Sequence, residues 1–512
     1  MSPLKGWLAT TCAQFFAKIV KRIETQCLQY VFFSKKMIKD YLKAQILANF
    51  GHLPTKDQDS ALTALADFVI SDDASSVFVL RGYAGTGKTS LVSAFVRTME
   101  QVERRCVLLA PTGRAAKVFG LYAGMPAYTI HKYIYRQRSM DFDATFDLGF
   151  NGRHQVVFVV DEASMISDTA DAVAQKESLL SDLVHYVYGG QHGCRLMLVG
   201  DVAQLPPVGE EDSPALAESV LSGYGLNVFE ALLRDTVRQK AESGVLFNAT
   251  ALRRCISDYD VFDWPKLQFA GFADIRNVRG DELIDALSQC YARYGVDDTI
   301  VVCRSNKRAN VYNNGIRAQI LDHEDELSSG DQLMIARNNY FWMAEAADGG
   351  KSEEETCDFL ANGDIAVVQR VRNVRSFYGF TFADCQLRLP DYDDRELTAT
   401  LLLDTLHAEA PALTREQQQL LFDEVMKDYF DVPTKVERLK RLRKDVYYNA
   451  LQVKYAYAVT CHKAQGGQWS QVFVDQGYVT EEMLGTDYYR WLYTAITRST
   501  NTVWMVNWKE QE

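Results

Sequence analysis

The sequence predicts an α/β protein with parallel sheets in two regions and a small β-barrel inserted into the second, on three observations. From residue 51, short β-branched runs alternate with helical segments. The alternation resumes at 281–321, and it breaks down between about 330 and 450. In the first region the runs are "SSVFVLRG" (75–82), "RCVLLAPT" (105–112), "QVVFVVDEAS" (155–164) and "CRLMLVGD" (194–201). Each ends in small or polar residues, as buried parallel strands with functional groups at their carboxyl ends do. In the second, "DELIDALSQCYARYG" (281–295) reads as a helix, "TIVVCRS" as a strand and "NKRANVYNNGIRAQIL" as a helix. The interruption contains "DQLMIARNNYFW", "GDIAVVQRVRNV" and "FTFADCQLRLP", antiparallel strands with Gly and Asn turns. An acidic stretch, 345–358, reads as a solvated loop, and helical 415–430 and basic 435–445 follow before "KYAYAVTCHKAQG" restores α/β character.

Composition sets the bounds. At 512 residues the chain exceeds one ordinary core, and 47% hydrophobic with 24% charged residues is a globular balance. No run of about 18 apolar residues is present to cross a bilayer, and the N-terminal "WLATTCAQFFAKIV" reads as neither signal peptide nor anchor. The ten cysteines are scattered without a C-x-x-C pair, which argues against a zinc site or disulfide framework and for a reducing, cytoplasmic setting. With a formal charge of −12, any nucleic acid would be held in a local basic groove.

Residues 1–50 read as an N-terminal helical appendage. Its first 36 residues carry Lys5, Lys18, Lys21, Arg22, Lys35 and Lys36 against Glu24 alone, and "MIKDYLKAQILANF" then has helical spacing. The basic part is either dispensable or a contact for nucleic acid. The expected organisation is a first domain over 51–236, a second over 237–329 and 451–512, and the insertion over 330–450.

"GYAGTGKT" (82–89) fits G-x-x-x-x-G-K-[ST] between a strand and an apolar helix. Gly82, Gly85 and Gly87 let the backbone wrap, with Thr86 between them, so that N–H groups and the helix N-terminus face phosphate oxygens. Lys88 is placed for the β and γ phosphates of a nucleotide, ATP, and Thr89 for Mg²⁺. Asp161 and Glu162 close an apolar strand, Asp161 as a second Mg²⁺ ligand and Glu162 as general base on the attacking water. Thr55 and Gln58 fit a capping box, and the Gln58 amide could also read adenine; the two roles are compatible.

After this loop come, in order, "LLAPTGRAAKVF", "AYTIHKYIY", "VVDEAS", "VGDVAQLPPVG", "DTVRQ", "AVTCHKAQGGQW" and "YTAITRST". That series, over about 55–512, resembles the motifs of superfamily 1 DNA helicases in their RecD-like and Dda-like branch. The resemblance implies two RecA-like domains, with Gln204 contacting the γ-phosphate from a turn stiffened by Pro206 and Pro207. It implies that Arg238 and Arg498 cross the interdomain cleft to the same phosphate, where an ordinary surface ion pair is the bland alternative. It places Thr112, Arg114, Thr129 and His131 of the first domain, and Thr460, His462 and Gln465 of the second, against a nucleic-acid backbone, a sequence-independent grip weakened by salt. It makes the hairpin-like 136–154 a pin that parts the duplex and the barrel an SH3-like module. The helical 414–445 segment departs from the family pattern.

The implied activity is ATP-dependent translocation 5′ to 3′ on single-stranded DNA with separation of a forked duplex, in repair, recombination or replication. RNA unwinding and an inactive scaffold are the alternatives. No nuclease carboxylate cluster is evident, so any cutting belongs to a partner subunit.

Overall fold

A computed structural model of the chain describes residues 35–137, 146–170, 177–190, 193–235, 243–345, 359–392 and 394–509. The first lobe opens with α1 (residues 35–50) and α2 (Lys56–Ile70). Then follow β1 (Ser76–Gly82), α3 (Lys88–Gln101), β2 (Cys106–Ala110), α4 (Gly113–Ala123), β3 (Ala127–Thr129) and α5 (Ile130–Ile134). A two-stranded hairpin, β4 (Tyr135–Gln137) with β5 (Phe146–Leu148), precedes β6 (Val157–Val160), α6 (Leu179–Tyr188), β7 (Arg195–Gly200), α7 (Glu218–Gly223) and β8 (Asn227–Leu233). Six strands form one parallel sheet in the order β3-β2-β6-β7-β1-β8. Because every strand runs the same way, the loops after β1, β2, β3, β6 and β7 emerge along one edge.

Helix α1 is not an appendage. Leu42, Ile46 and Phe50 are buried with Leu62, Phe95 and Phe119 in the core under one face of this sheet. Its apolar stripe at helical spacing needs a core to cover it, and the first lobe supplies one. The basic segment before residue 35 lies outside the described residues.

The second lobe contributes α8 (Gly244–Asp258), β9 (Ile275–Val278), α9 (Leu283–Tyr294), β10 (Thr299–Cys303) and α10 (Asn306–Gln319). The insertion then runs β11 (Gln332–Ile335), α11 (Phe341–Glu345), β12 (Ile365–Phe377), β13 (Phe380–Leu389), β14 (Arg395–Leu402), α12 (Arg415–Lys427), α13 (Lys435–Leu442) and β15 (Leu451–Tyr455). The lobe resumes with β16 (Ala458–Thr460), α14 (Cys461–Ala464), β17 (Trp469–Asp475), α15 (Thr486–Ile496) and β18 (Ser499–Val506). Its parallel sheet has the order β16-β10-β17-β18-β9, and β11 to β15 close the barrel. The closing strand β15 falls just past the boundary expected at 450, and it pairs parallel with β14.

The barrel is fused to the second lobe, since Leu287 and Val301 share a continuous core with Leu333, Leu387 and Leu401. Helices α12 and α13 pack Leu421, Val425, Leu439 and Leu442 on Phe380, Phe382 and Leu402, and so cap one end of the barrel. The acidic loop expected at 345–358 lies almost entirely outside the described residues.

Candidate active site between the two lobes

The phosphate loop leaves β1, which lies between β7 and β8. Gly85 and Gly87 take left-handed backbone, φ 75° and 84°. The φ of Gly87 favours glycine, and a Cβ there would come 2.8 Å from Gln58 Nε2, so Gln58 would have to move. Gln58 completes the capping box: its Oε1 accepts the Thr55 N–H at 2.9 Å and its own N–H donates to Thr55 Oγ1. Its Nε2 donates to the Thr86 carbonyl at 2.9 Å, and the residue is 1% exposed. The amide thus braces the phosphate loop from beneath. Lys88 Nζ donates to the carbonyls of Gly82 and Tyr83 and lies 3.8 Å from Asp201 Oδ2. Thr89 begins α3 beside it, half-buried.

Asp161 and Glu162 follow β6. Glu162 turns through φ 51°, and its N–H donates to Asp161 Oδ1 at 2.9 Å. Burial and the adjoining Glu162 carboxylate push Asp161 well above the usual carboxylate range, while that N–H and Lys88 pull it back. A carboxylate so short of positive charge fits a divalent cation. Among the described residues no group of three or more His, Cys, Asp and Glu could hold a metal, so such an ion would take its other ligands from phosphate and water.

The turn after β7 is the densest part of the site. Asp201 is fully buried; its Oδ1 accepts the Ala203 N–H and its Oδ2 the Tyr493 hydroxyl at 2.6 Å. Gln204 is 5% exposed and its Oε1 has no hydrogen-bond partner among the described residues. The second lobe grips Leu205 from both sides: Thr494 Oγ1 accepts its N–H at 2.9 Å, and Gln465 Nε2 donates to its carbonyl at 2.8 Å. Gln465 therefore holds the turn after β7 and does not face an exposed backbone groove.

Arg498 follows α15 and is 4% exposed. Nε donates to the Thr494 carbonyl at 3.1 Å, Nη2 approaches Thr497 Oγ1, and Nη1 lies 3.8 Å from Glu162 Oε1 across the cleft. The bland surface ion pair is excluded for this residue. Arg238 lies outside the described residues.

The expected nucleic-acid residues divide by what they touch. Thr112 caps α4 and Thr129 caps α5, their hydroxyls accepting the N–H groups of Ala115 and Lys132. Thr129 is buried, so capping is its observed work. Thr460 precedes α14 without a side-chain cap and is half-exposed, and His462 is exposed. His131 lies 5.5 Å from the Tyr135 ring. Arg114 reaches the other lobe, donating to the Gln468 carbonyl at 2.9 Å and stacking 4.1 Å over the Trp469 ring. Burial lowers its pKa, and Asp391, Asp298 and Asp297 restore part of it. A Cβ on Gly466 would be 2.9 Å from Ala115 Cβ, so the loops expected to hold a strand touch one another in this arrangement.

Tyr493 and Thr494 were missed from sequence. Both stand inside "YTAITRST", where an aromatic and a threonine on an otherwise apolar helix read as core. The available signal was the i to i+4 spacing of Thr494 and Arg498.

Two parallel-sheet lobes with a phosphate loop on one and a buried arginine from the other define a P-loop ATPase of the tandem RecA-like class. Residues 55–246 match a family model described as an AAA domain, and residues 455–506 match one described as a UvrD-like helicase C-terminal domain. Over these two segments the chain is similar to ATPase and helicase families, and among its relatives is a RecD-like helicase. It is 33% identical over 136 residues to the ATP-dependent RecD2 DNA helicase of Deinococcus radiodurans, a stretch that is 25% of this chain and 16% of that one. An uncharacterized protein, R530, of Acanthamoeba polyphaga mimivirus is 22% identical over 528 aligned residues, 87% of this chain and 98% of its own. The crystal structure of Bacteroides Pif1 bound to ssDNA is similar with a TM-score of 0.43 and 15% identity, covering 89% of this chain and 92% of that one.

Proposed function

We propose that the protein is an ATP-dependent DNA helicase that moves 5′ to 3′ along single-stranded DNA and separates duplex at a fork, in repair, recombination or replication. One observation carries the reading: the buried Arg498 guanidinium of the second lobe stands 3.8 Å from Glu162 of the first, beside the phosphate loop. A site assembled from both lobes acts only when the cleft is closed. Hydrolysis is thereby tied to relative motion of the lobes, which is what a translocating motor requires.

In this reading Lys88 and the N–H groups of Gly85 to Thr89 hold the phosphates of ATP, and Thr89 and Asp161 hold Mg²⁺, which neutralises phosphate charge when bound. Glu162 accepts a proton from the attacking water, and Gln204 orients that water through Oε1, an acceptor with no partner among the described residues, or the terminal phosphate through its amide N–H. Arg498, with Arg238, stabilises charge on the equatorial oxygens. Thr112, Arg114, Thr460 and His462 contact the strand once it parts the two loops, and the β4–β5 hairpin meets the fork. We place the protein in a reducing, cytoplasmic setting; all seven cysteines among the described residues are free, and no described helix is long and apolar enough to cross a membrane.

A forked-duplex assay with either a 5′ or a 3′ tail tests activity and polarity together. Unwinding that requires ATP and a 5′ DNA tail is expected. Stimulation of the ATPase by oligo-U but not oligo-dT would turn the reading to RNA, and Lys88→Ala with undiminished strand separation would overturn the motor.

A further inference from the structure

We infer that Tyr493 is a positioning residue that ties the phosphate loop and the turn after β7 in the first lobe to the arginine of the second. Its catalytic arm rests on the ATPase reading above.

The side chain is 1% exposed, at the junction of three functional segments. Its hydroxyl donates to Asp201 Oδ2 at 2.6 Å and accepts the Ala84 N–H at 2.8 Å, so both hydroxyl functions are spent on the first lobe. The next residue, Thr494, holds the Leu205 N–H through its hydroxyl and Arg498 Nε through its carbonyl. Two consecutive residues of α15 therefore fix the phosphate loop, the turn that carries Gln204, and the guanidinium.

The charges around Asp201 give this link a direction. Its carboxylate faces Lys88 at 3.8 Å as well as the Tyr493 hydroxyl. Phenylalanine could fill the same volume but would strip a fully buried carboxylate oxygen and the Ala84 N–H of their hydrogen bonds to the hydroxyl. When Lys88 turns to a phosphate, Asp201 loses its cation and becomes a stronger acceptor, so the tyrosine bond tightens. Nucleotide capture in one lobe thereby strengthens the contact that delivers Arg498 from the other.

The test compares wild type with Tyr493→Phe, each with one fluorophore at Leu121 and one at Tyr478, exposed positions on the first and second lobes. Mg²⁺ with a non-hydrolysable ATP analogue changes energy transfer in the wild type. In Tyr493→Phe the change shrinks at least threefold, kcat falls about tenfold, and the analogue Kd rises by no more than about threefold, the share that the lost coupling takes from binding. Asp201→Asn gives the same kinetic pattern, and the double variant is no more than twofold worse than the poorer single. Wild-type energy transfer and kcat in Tyr493→Phe overturn the inference. So does a parallel loss of melting temperature, analogue affinity and kcat, or multiplicative effects in the double variant. If the wild type hydrolyses no ATP with any nucleic acid, the proposed function falls and the energy-transfer comparison alone decides on Tyr493.

Discussion

Arg498 reaches the cleft with its guanidinium held by Thr494 and Thr497, so its orientation is set before any charge develops opposite it. Arg498→Ala is expected to lower kcat by about 10³-fold with nucleotide affinity little changed. Arg498→Lys keeps the charge but loses the fork geometry, and should recover only a small part of the rate in steady-state ATPase assays. Gln58 leads to a different expectation. Its amide oxygen is engaged by Thr55 and its nitrogen by Thr86, with 1% of the residue exposed. Its removal acts on the phosphate loop, whatever base the nucleotide carries. Gln58→Ala should raise KM for ATP and GTP by a similar factor, with loss of the reciprocal half of the capping box adding about 1 kcal/mol of destabilisation. A rise confined to ATP would restore the adenine contact that the sequence suggests.

Helix α4 shows what one element does for three parts of the molecule. Thr112 caps it, Gly113 meets the barrel, and Arg114 crosses to Trp469 and Gln468. A Cβ on Gly113 would stand 2.3 Å from Asp364 Oδ1, a separation no packing tolerates. Gly113→Ala should push the barrel off the first lobe, costing about 1–3 kcal/mol as overpacking does. Faster amide exchange around 361–365 and 390–392 would report it. The phosphate loop was legible because its geometry follows from consecutive residues: glycines where φ is positive, then lysine and threonine opening a helix. The strand-end acids Asp161 and Glu162 were legible for the same reason. Thr129 and Gln465 were not, because a buried cap and a cross-lobe amide look, in one dimension, like groups waiting for phosphate. Helix α1 shows the converse, since its stripe was evident but the core that buries it lies on α2, α3 and α4.

Across the whole molecule the barrel is held at two joints of opposite electrostatic character. At the second lobe, Arg317 donates twice to the fully buried Asp331 at 2.9 Å, and Ser328 N–H and Tyr457 OH also donate to that carboxylate. Burial pushes Asp331 up, but Arg317, Ser328 and His323 outweigh it and hold the group below its usual range. At the first lobe, Asp364 is fully buried against Gly113, accepts from Ala361 N–H and the Tyr392 hydroxyl through Oδ2, and has no partner for Oδ1 among the described residues. Burial raises its pKa from 3.8 to about 7; Tyr392, Ala361 and Lys132 lower it, and Asp391 adds to the rise. The signs then separate by pH. Asp331 contributes stability that is present above its unfolded pKa and lost only in acid, so it adds no slope from pH 5 to 8. Asp364 holds its proton in the folded chain well after the unfolded chain has released it. Stability therefore falls as pH rises from about 4 to 7, by up to roughly 4 kcal/mol. Asp364→Asn should remove that fall: its melting temperature should gain on the wild type progressively from pH 5 to pH 8. Asp331→Asn leaves Arg317 buried with a neutral partner and should cost about 3–5 kcal/mol throughout that range. Thermal melts of both variants at four pH values decide the matter. An Asp364→Asn gain that is flat with pH would mean its carboxyl is already ionised in the folded barrel. The two joints would then be electrostatically alike, and nothing in their charge would make the barrel follow the second lobe when the cleft opens.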